Sequence, residues 1–112
     1  MGFTPMEGLV MATRPGSVDL GALLWLQGEK ELSPGEMEKA LDAESGLLGL
    51  LGVGADMSEV LGAESAGNRR AALAIEVYLH RLRGLIASMA AAMGGLDALV
   101  FTGGVGENVS EI

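Results

Sequence analysis

The sequence predicts an α/β unit that is helical over most of its 112 residues and carries one or two strands. Three observations lead there. The segments Ser33-Pro34-Gly35-Glu36 and Asp56-Met57-Ser58-Glu59 both have the reciprocal spacing of a capping box, which marks helix starts. Ile75, Leu79, Leu82, Ile86, Met89 and Met93 follow one another in alternating steps of four and three, drawing a single apolar stripe down a helix. Residues 96–102 (LDALVFT) form a short apolar run of the kind a buried strand requires, and the cluster Gly103-Gly104-Val105-Gly106 follows at once. Helix, strand, Gly-rich turn and helix start, in that order, are the grammar of an α/β nucleotide-binding unit.

Taken in order, residues 1–16 have no sustained period, and their Pro and Gly spacing reads as an ordered loop. Asp19 stands at an N-cap before the short apolar run that starts at Gly21, and Gly28 is expected to end that helix. A second helix starts with Ser33 as cap and Pro34 at the first helical position, runs to about Ser45 and stops at Gly46. Asp56 caps a third, shorter helix. The fourth lies within about Asn68 to Met93, and roughly 24 helical residues at ~1.5 Å each make a rod of roughly 36 Å. Gly94-Gly95 ends it. After the strand and the glycines, Glu107-Asn108-Val109-Ser110-Glu111-Ile112 is expected to open a further helix. Trp25 and the seven methionines are read as core and gap-filling side chains.

Composition removes several classes of function. Fifteen acidic and seven basic side chains give a formal charge of −8, which opposes coating a nucleic acid. There is no cysteine, hence no disulfide scaffold and no thiolate metal site. His80 has no partner ligands in the pattern and is read as structural or exposed. No apolar run reaches the roughly 18 residues of a membrane span, and no basic-then-apolar leader opens the chain. A cytoplasmic setting is the expectation. Arg69-Arg70, near a helix start, reads as a solvated face.

The glycine cluster by itself is weak evidence of a site, being neither G-x-G-x-x-G nor a Walker pattern. Three segments together say more. The opening GFTPMEGLVMATRPGSVD resembles the GFTPLEGL-M-GTR-G-ID segment of acetate kinases. SGLLGLLGVGADMSEV is similar to that family's SGLLGLSG-S-D-R segment, and the closing LDALVFTGGVGEN resembles its DA-FTGGIGEN adenosine motif. They occur in family order and nearly span the chain, so the sequence is identified as a member of the acetate kinase family, with propionate kinases close by and butyrate kinases further away.

That resemblance implies a duplicated α/β architecture, the actin-like (ribonuclease H-like) ATPase fold of acetate and sugar kinases. It places residues 1–112 in the second, C-terminal domain. It implies reversible transfer of the ATP γ-phosphoryl group to acetate, with Mg²⁺, in a homodimer. The remaining family parts, metal-associated residues included, are expected outside these residues, so the isolated piece is expected to be inactive. By motif, Arg14 corresponds to the arginine that stabilises the phosphoryl group in transit, where a permanently charged planar fork suits charge spread over equatorial oxygens. Ala12 replaces the family's Gly, and Pro15 follows Arg14 directly. Asp56, Met57 and Ser58 align with a nucleotide-contacting triplet. Ser58 stands where the family has Arg, so a cationic contact is missing and weaker nucleotide affinity is expected. Gly104, Val105, Gly106, Glu107 and Asn108 match the adenosine segment, expected to face Arg14, with base and ribose rather than phosphates beside the acidic Glu107. Without any resemblance, Asp56 is a helix cap and Arg14 a solvated loop arginine. A non-catalytic nucleotide-binding or dimerisation module of the same fold is the alternative from another class.

Overall fold

In the computed structural model, which describes residues 2–110, six helices follow one another: α1 (Leu20–Lys30), α2 (Pro34–Ala43), α3 (Gly46–Leu51), α4 (Met57–Ser65), α5 (Arg69–Met93) and α6 (Gly103–Asn108). The capping signals act where the sequence puts them. Ser33 accepts from the Glu36 N–H while Glu36 reaches back to the Ser33 N–H at 2.8 Å. Asp56 and Glu59 form the second reciprocal pair at the head of α4. Asn68 caps α5 through the N–H groups of Arg70 and Ala71, and Gly94 closes that helix in the left-handed region at φ 78°. These N-caps satisfy donors that a helix start leaves orphaned.

Other expectations are corrected. Gly28 lies inside α1, which continues to Lys30 and is closed by Glu31 at φ 50°. α2 stops at Ala43, and the chain turns straight into α3, an element whose six residues carry no legible period. Residues 96–102 do not form a strand: no strand is assigned among the described residues, and Leu96, Leu99, Val100 and Phe101 are 47–78% exposed. A strand needs a neighbour to take its N–H and C=O groups, and none lies alongside. α6 opens at Gly103, four residues before Glu107, so the glycine cluster is helix rather than turn. The expected helix over 107–112 therefore ends at Asn108, and its last two residues lie outside the described ones. Trp25 is 65% exposed and Met89 and Met93 also face solvent, whereas Met57 is buried.

The packed unit is α3, α4 and α5. Leu47 and Leu51, one turn apart on α3, meet Met57 and Val60 of α4 and Ala71 and Ala74 of α5, with Val10 of the opening loop closing the cluster. The two alanines are fully buried and let α4 approach the long helix closely, and Val60 of α4 is wholly enclosed. Burial of a leucine or valine contributes about 1.5–3 kcal/mol each. The apolar stripe on α5 is half-buried as far as Ile86, and the helix then runs on beyond the core. The Cα radius of gyration, 15.5 Å, exceeds the roughly 13 Å of a self-contained domain this long.

The opening loop is tied to α3. Its Gly8 and Ser17 ends close on each other, Ser17 N–H donating to Gly8 O at 3.1 Å and Gly8 N–H to Ser17 Oγ at 3.0 Å. Between them, the carbonyls of Thr13, Met11 and Ala12 accept from the N–H groups of Ser45, Leu47 and Leu48, each at 2.9 Å. Ser45 makes no side-chain cap, so loop carbonyls take its place. Gly46 sits at φ 65°, and a Cβ there would lie 2.3 Å from Met11 O. Gly46→Ala is expected to lower unfolding stability by more than ~1 kcal/mol, while Gly28→Ala, inside a helix and facing open space, raises it by about 0.5–1 kcal/mol. Urea titration followed by circular dichroism separates the two.

Candidate functional site

Arg14 leaves the loop immediately after its three capping carbonyls, and its own carbonyl accepts from Met11 N–H at 2.9 Å. Its main chain is therefore fixed on both sides. The guanidinium Nε donates to Asp42 Oδ1 of α2 at 2.5 Å, and both side chains are partly exposed. Thr13 Oγ1 donates to the Asp42 main-chain carbonyl at 2.8 Å. Sequence reasoning missed Asp42, which lies 28 residues from its partner with no periodic signal connecting them.

Asp56 heads α4. Its carboxylate accepts from the hydroxyl of Ser58 at 2.6 Å and from the Ser58 N–H at 2.8 Å. The Ser58 hydroxyl, then its N–H, hold the Asp56 carboxyl below the ordinary aspartate range. The Ser58 hydroxyl is thus engaged by the exposed cap and does not reach outward as an arginine donor there would. Met57 is 5% exposed and belongs to the core, so its side chain is a packing anchor.

The glycine segment faces an open cleft of about 430 Å³ whose lining includes Leu9, Tyr78, Leu82, Phe101, Gly104 and Gly106. Gly103 stands at φ 77°, and Gly106 packs against Phe101, where an added Cβ would come to 3.4 Å. At Gly104 a Cβ would meet nothing, so the fold itself does not require glycine there. Glu107 Oε1 accepts from Gly103 N–H at 3.0 Å, and Asn108 Nδ2 donates to Gly104 O at 2.9 Å. Glu107 therefore occupies the donor at the start of α6 and places negative charge there, which suits a neutral base and ribose better than phosphates. Burial shifts the Tyr78 hydroxyl towards a higher pKa.

The three candidate parts do not meet in one cavity. Leu9 brings the opening loop to the cleft, but neither Arg14 nor the Asp56–Ser58 cap lines it. His80 faces outward on α5 beside Val77 and Arg81. Arg70 is exposed, as expected of a solvated face, and also donates through Nε to Leu50 O at 2.7 Å and through Nη2 to Gly49 O at 3.3 Å, capping the end of α3. Among the described residues no three His, Cys, Asp or Glu side chains converge on a metal position. No helix of the described chain is long and apolar enough to cross a membrane.

This arrangement of helices is that of a segment of the acetate and propionate kinases. The crystal structure of Porphyromonas gingivalis acetate kinase superposes with a TM-score of 0.93 at 46% identity, covering 96% of this chain and 27% of that one. A propionate kinase from Francisella tularensis matches equally well, TM-score 0.93 at 42% identity, over 99% of this chain and 29% of its own. The acetate kinase of Microcystis aeruginosa is 52% identical over 108 residues, 96% of this chain. The acetokinase family model matches residues 1–112, and the chain belongs to that family. It spans about 27% of the length of the curated relatives it matches.

The Asp56 cap has a calculable pH dependence. A carboxyl held below its ordinary value stabilises the fold fully above the unfolded aspartate pKa of about 3.9 and loses that contribution as pH falls through the depressed folded value. Helical signal is therefore expected to decline on acidification below about pH 4. Asp56→Asn, which keeps a capping oxygen without the charge, is expected to flatten that part of the profile. The Glu36 carboxyl, lowered first by the Ser33 hydroxyl and then by its N–H, leaves a residual slope in the variant. Circular dichroism across pH 2–6 tests this.

Proposed function

We propose that this chain supplies the adenosine-binding segment and the phosphoryl-holding arginine of an acetate kinase. In the whole protein, an acetate carboxylate oxygen attacks the γ-phosphorus of ATP. The bond from that phosphorus to the β-phosphate bridging oxygen breaks, and acetyl phosphate and ADP leave. The observation that carries the reading is that Gly104, Val105 and Gly106, which align with the family's adenosine motif, line an open cleft beside Tyr78 and Phe101. Glycine at 104 costs a helix conformational entropy and no neighbour within the fold demands it. A ligand lying against bare main chain gives that cost a purpose.

The roles are those of the family motifs that these residues match. Gly104, Val105 and Gly106 carry the adenine and ribose, with Glu107 and Asn108 fixing the head of α6. Arg14 meets the phosphoryl group as charge spreads over its oxygens, because a planar guanidinium stays positively charged at any working pH and offers paired donors. Asp56, Met57 and Ser58 form the second nucleotide contact, weakened by the serine. Mg²⁺ belongs to the reaction by family, but the described residues do not fit a metal site, and its ligands lie elsewhere in the whole protein. A place in the C-terminal domain, a homodimer and a cytoplasmic setting belong to the same reading. Propionate is the second acyl acceptor, favoured by the likeness to the Francisella propionate kinase.

Adenosine titrated into the chain and followed by amide chemical shifts tests the reading. Shifts are expected at Gly104, Val105 and Gly106. Gly104→Ala is expected to weaken adenosine binding by roughly tenfold, the effect of about 1.4 kcal/mol, with the unfolding midpoint unchanged or raised. Equal affinity in the two proteins would overturn the assignment.

A further inference from the structure

We propose that Asp42 is the positioning residue for Arg14: it grips the guanidinium by Nε and leaves the Nη1–Nη2 end directed at an incoming oxyanion. The inference rests on the reading of Arg14 as the arginine that meets the phosphoryl group. Three observations on different atoms support it.

First, the Arg14 main chain has almost no freedom, since its carbonyl is bonded to Met11 N–H and the three preceding carbonyls hold the head of α3. What remains free is the side chain, and Asp42 fixes its Nε. Second, Asp42 receives two adjacent residues at once, the Thr13 hydroxyl on its main-chain oxygen and Arg14 Nε on its carboxylate. Third, Asp42 sits in the last turn of α2, where a negative side chain opposes the helix dipole. Its place is not explained by the stability of its own helix. Nor is it explained by the ion pair as a folding contact, because both side chains are more than a third exposed and such pairs contribute little.

The geometry leaves a usable remainder. A guanidinium has five N–H donors, and among the described residues Asp42 engages the single one on Nε. The four on Nη1 and Nη2 form the fork that binds two oxygens of a phosphate side by side. The Asp42 carboxylate orients the fork while its charge opposes the arriving anion. Asparagine keeps an acceptor oxygen for Nε and removes the charge, whereas alanine removes both.

The test uses the full 112-residue chain with ¹⁵N-labelled arginine and tripolyphosphate as probe. The Arg14 Nε–H signal is expected to be displaced from that of free arginine and to exchange with water roughly tenfold more slowly than in Asp42→Ala, the signature of a held donor. Asp42→Asn is expected to retain that signal and to bind tripolyphosphate roughly threefold more tightly, through loss of one nearby like charge. Thr13→Val, which removes the other tether, is expected to keep the Nε–H signal and serves as the informative variant should Asp42→Ala unfold. An Arg14 signal indifferent to Asp42→Ala in a folded chain, or lost equally in Asp42→Asn, would overturn the proposal. If the held signal is present but tripolyphosphate leaves Arg14 unmoved in every variant, the tether stands and the phosphoryl reading of Arg14 fails.

Discussion

The arrangement depends on one exchange of main-chain hydrogen bonds. α3 begins with N–H groups that no side chain caps, and the carbonyls of residues 11–13 supply the missing acceptors. An irregular loop thereby becomes a fixed support, and a helix too short to be stable alone acquires a defined start. Arg70 completes the same helix from the other end by donating to its last carbonyls, with cationic charge at the terminus where the dipole favours it. Once both ends are held, Leu47 and Leu51 can face α4 and α5, and the core follows. Glycine at 46 is the residue that permits it, because its left-handed backbone brings the loop into contact where any Cβ would collide with Met11 O.

The same exchange links fold to chemistry. Arg14 is the next residue after the capping carbonyls, so the direction in which its side chain departs is inherited from the packing of α3. Arg81, donating to Ser17 O from the long helix, fixes the far end of the loop. At the other end of the chain, α6 rests on the core through Val105 while Gly104 stays bare. Rigid attachment on one side and open main chain on the other is what a binding segment needs.

Much of the apolar surface is left uncovered among the described residues. Leu20, Leu24 and Trp25 line an exposed face of α1, and the far half of α5 and the extended stretch 96–102 are exposed in the same way. The large radius of gyration expresses this physically: the packed cluster is small, and helices extend away from it. The segment matches about 27% of the length of its curated relatives.

What the sequence settled by itself is local. The Ser33 and Asp56 boxes and the Gly94 stop were legible because each joins groups two to five residues apart, and helix termini are decided at that range. Three motifs in order likewise sufficed for the family. Burial was legible only in part: Met57 went into the core while Trp25 did not, since apolar character says what can be buried but not whether a partner surface exists. Tertiary structure alone decided the existence of α3, the grip of Asp42 on Arg14, the turning of Arg70 onto the end of α3 and the unpaired state of residues 96–102. Those outcomes join residues 20, 28 or more positions apart, or require a neighbouring strand. No periodicity encodes such a meeting, because it is fixed by where packed helices carry the chain.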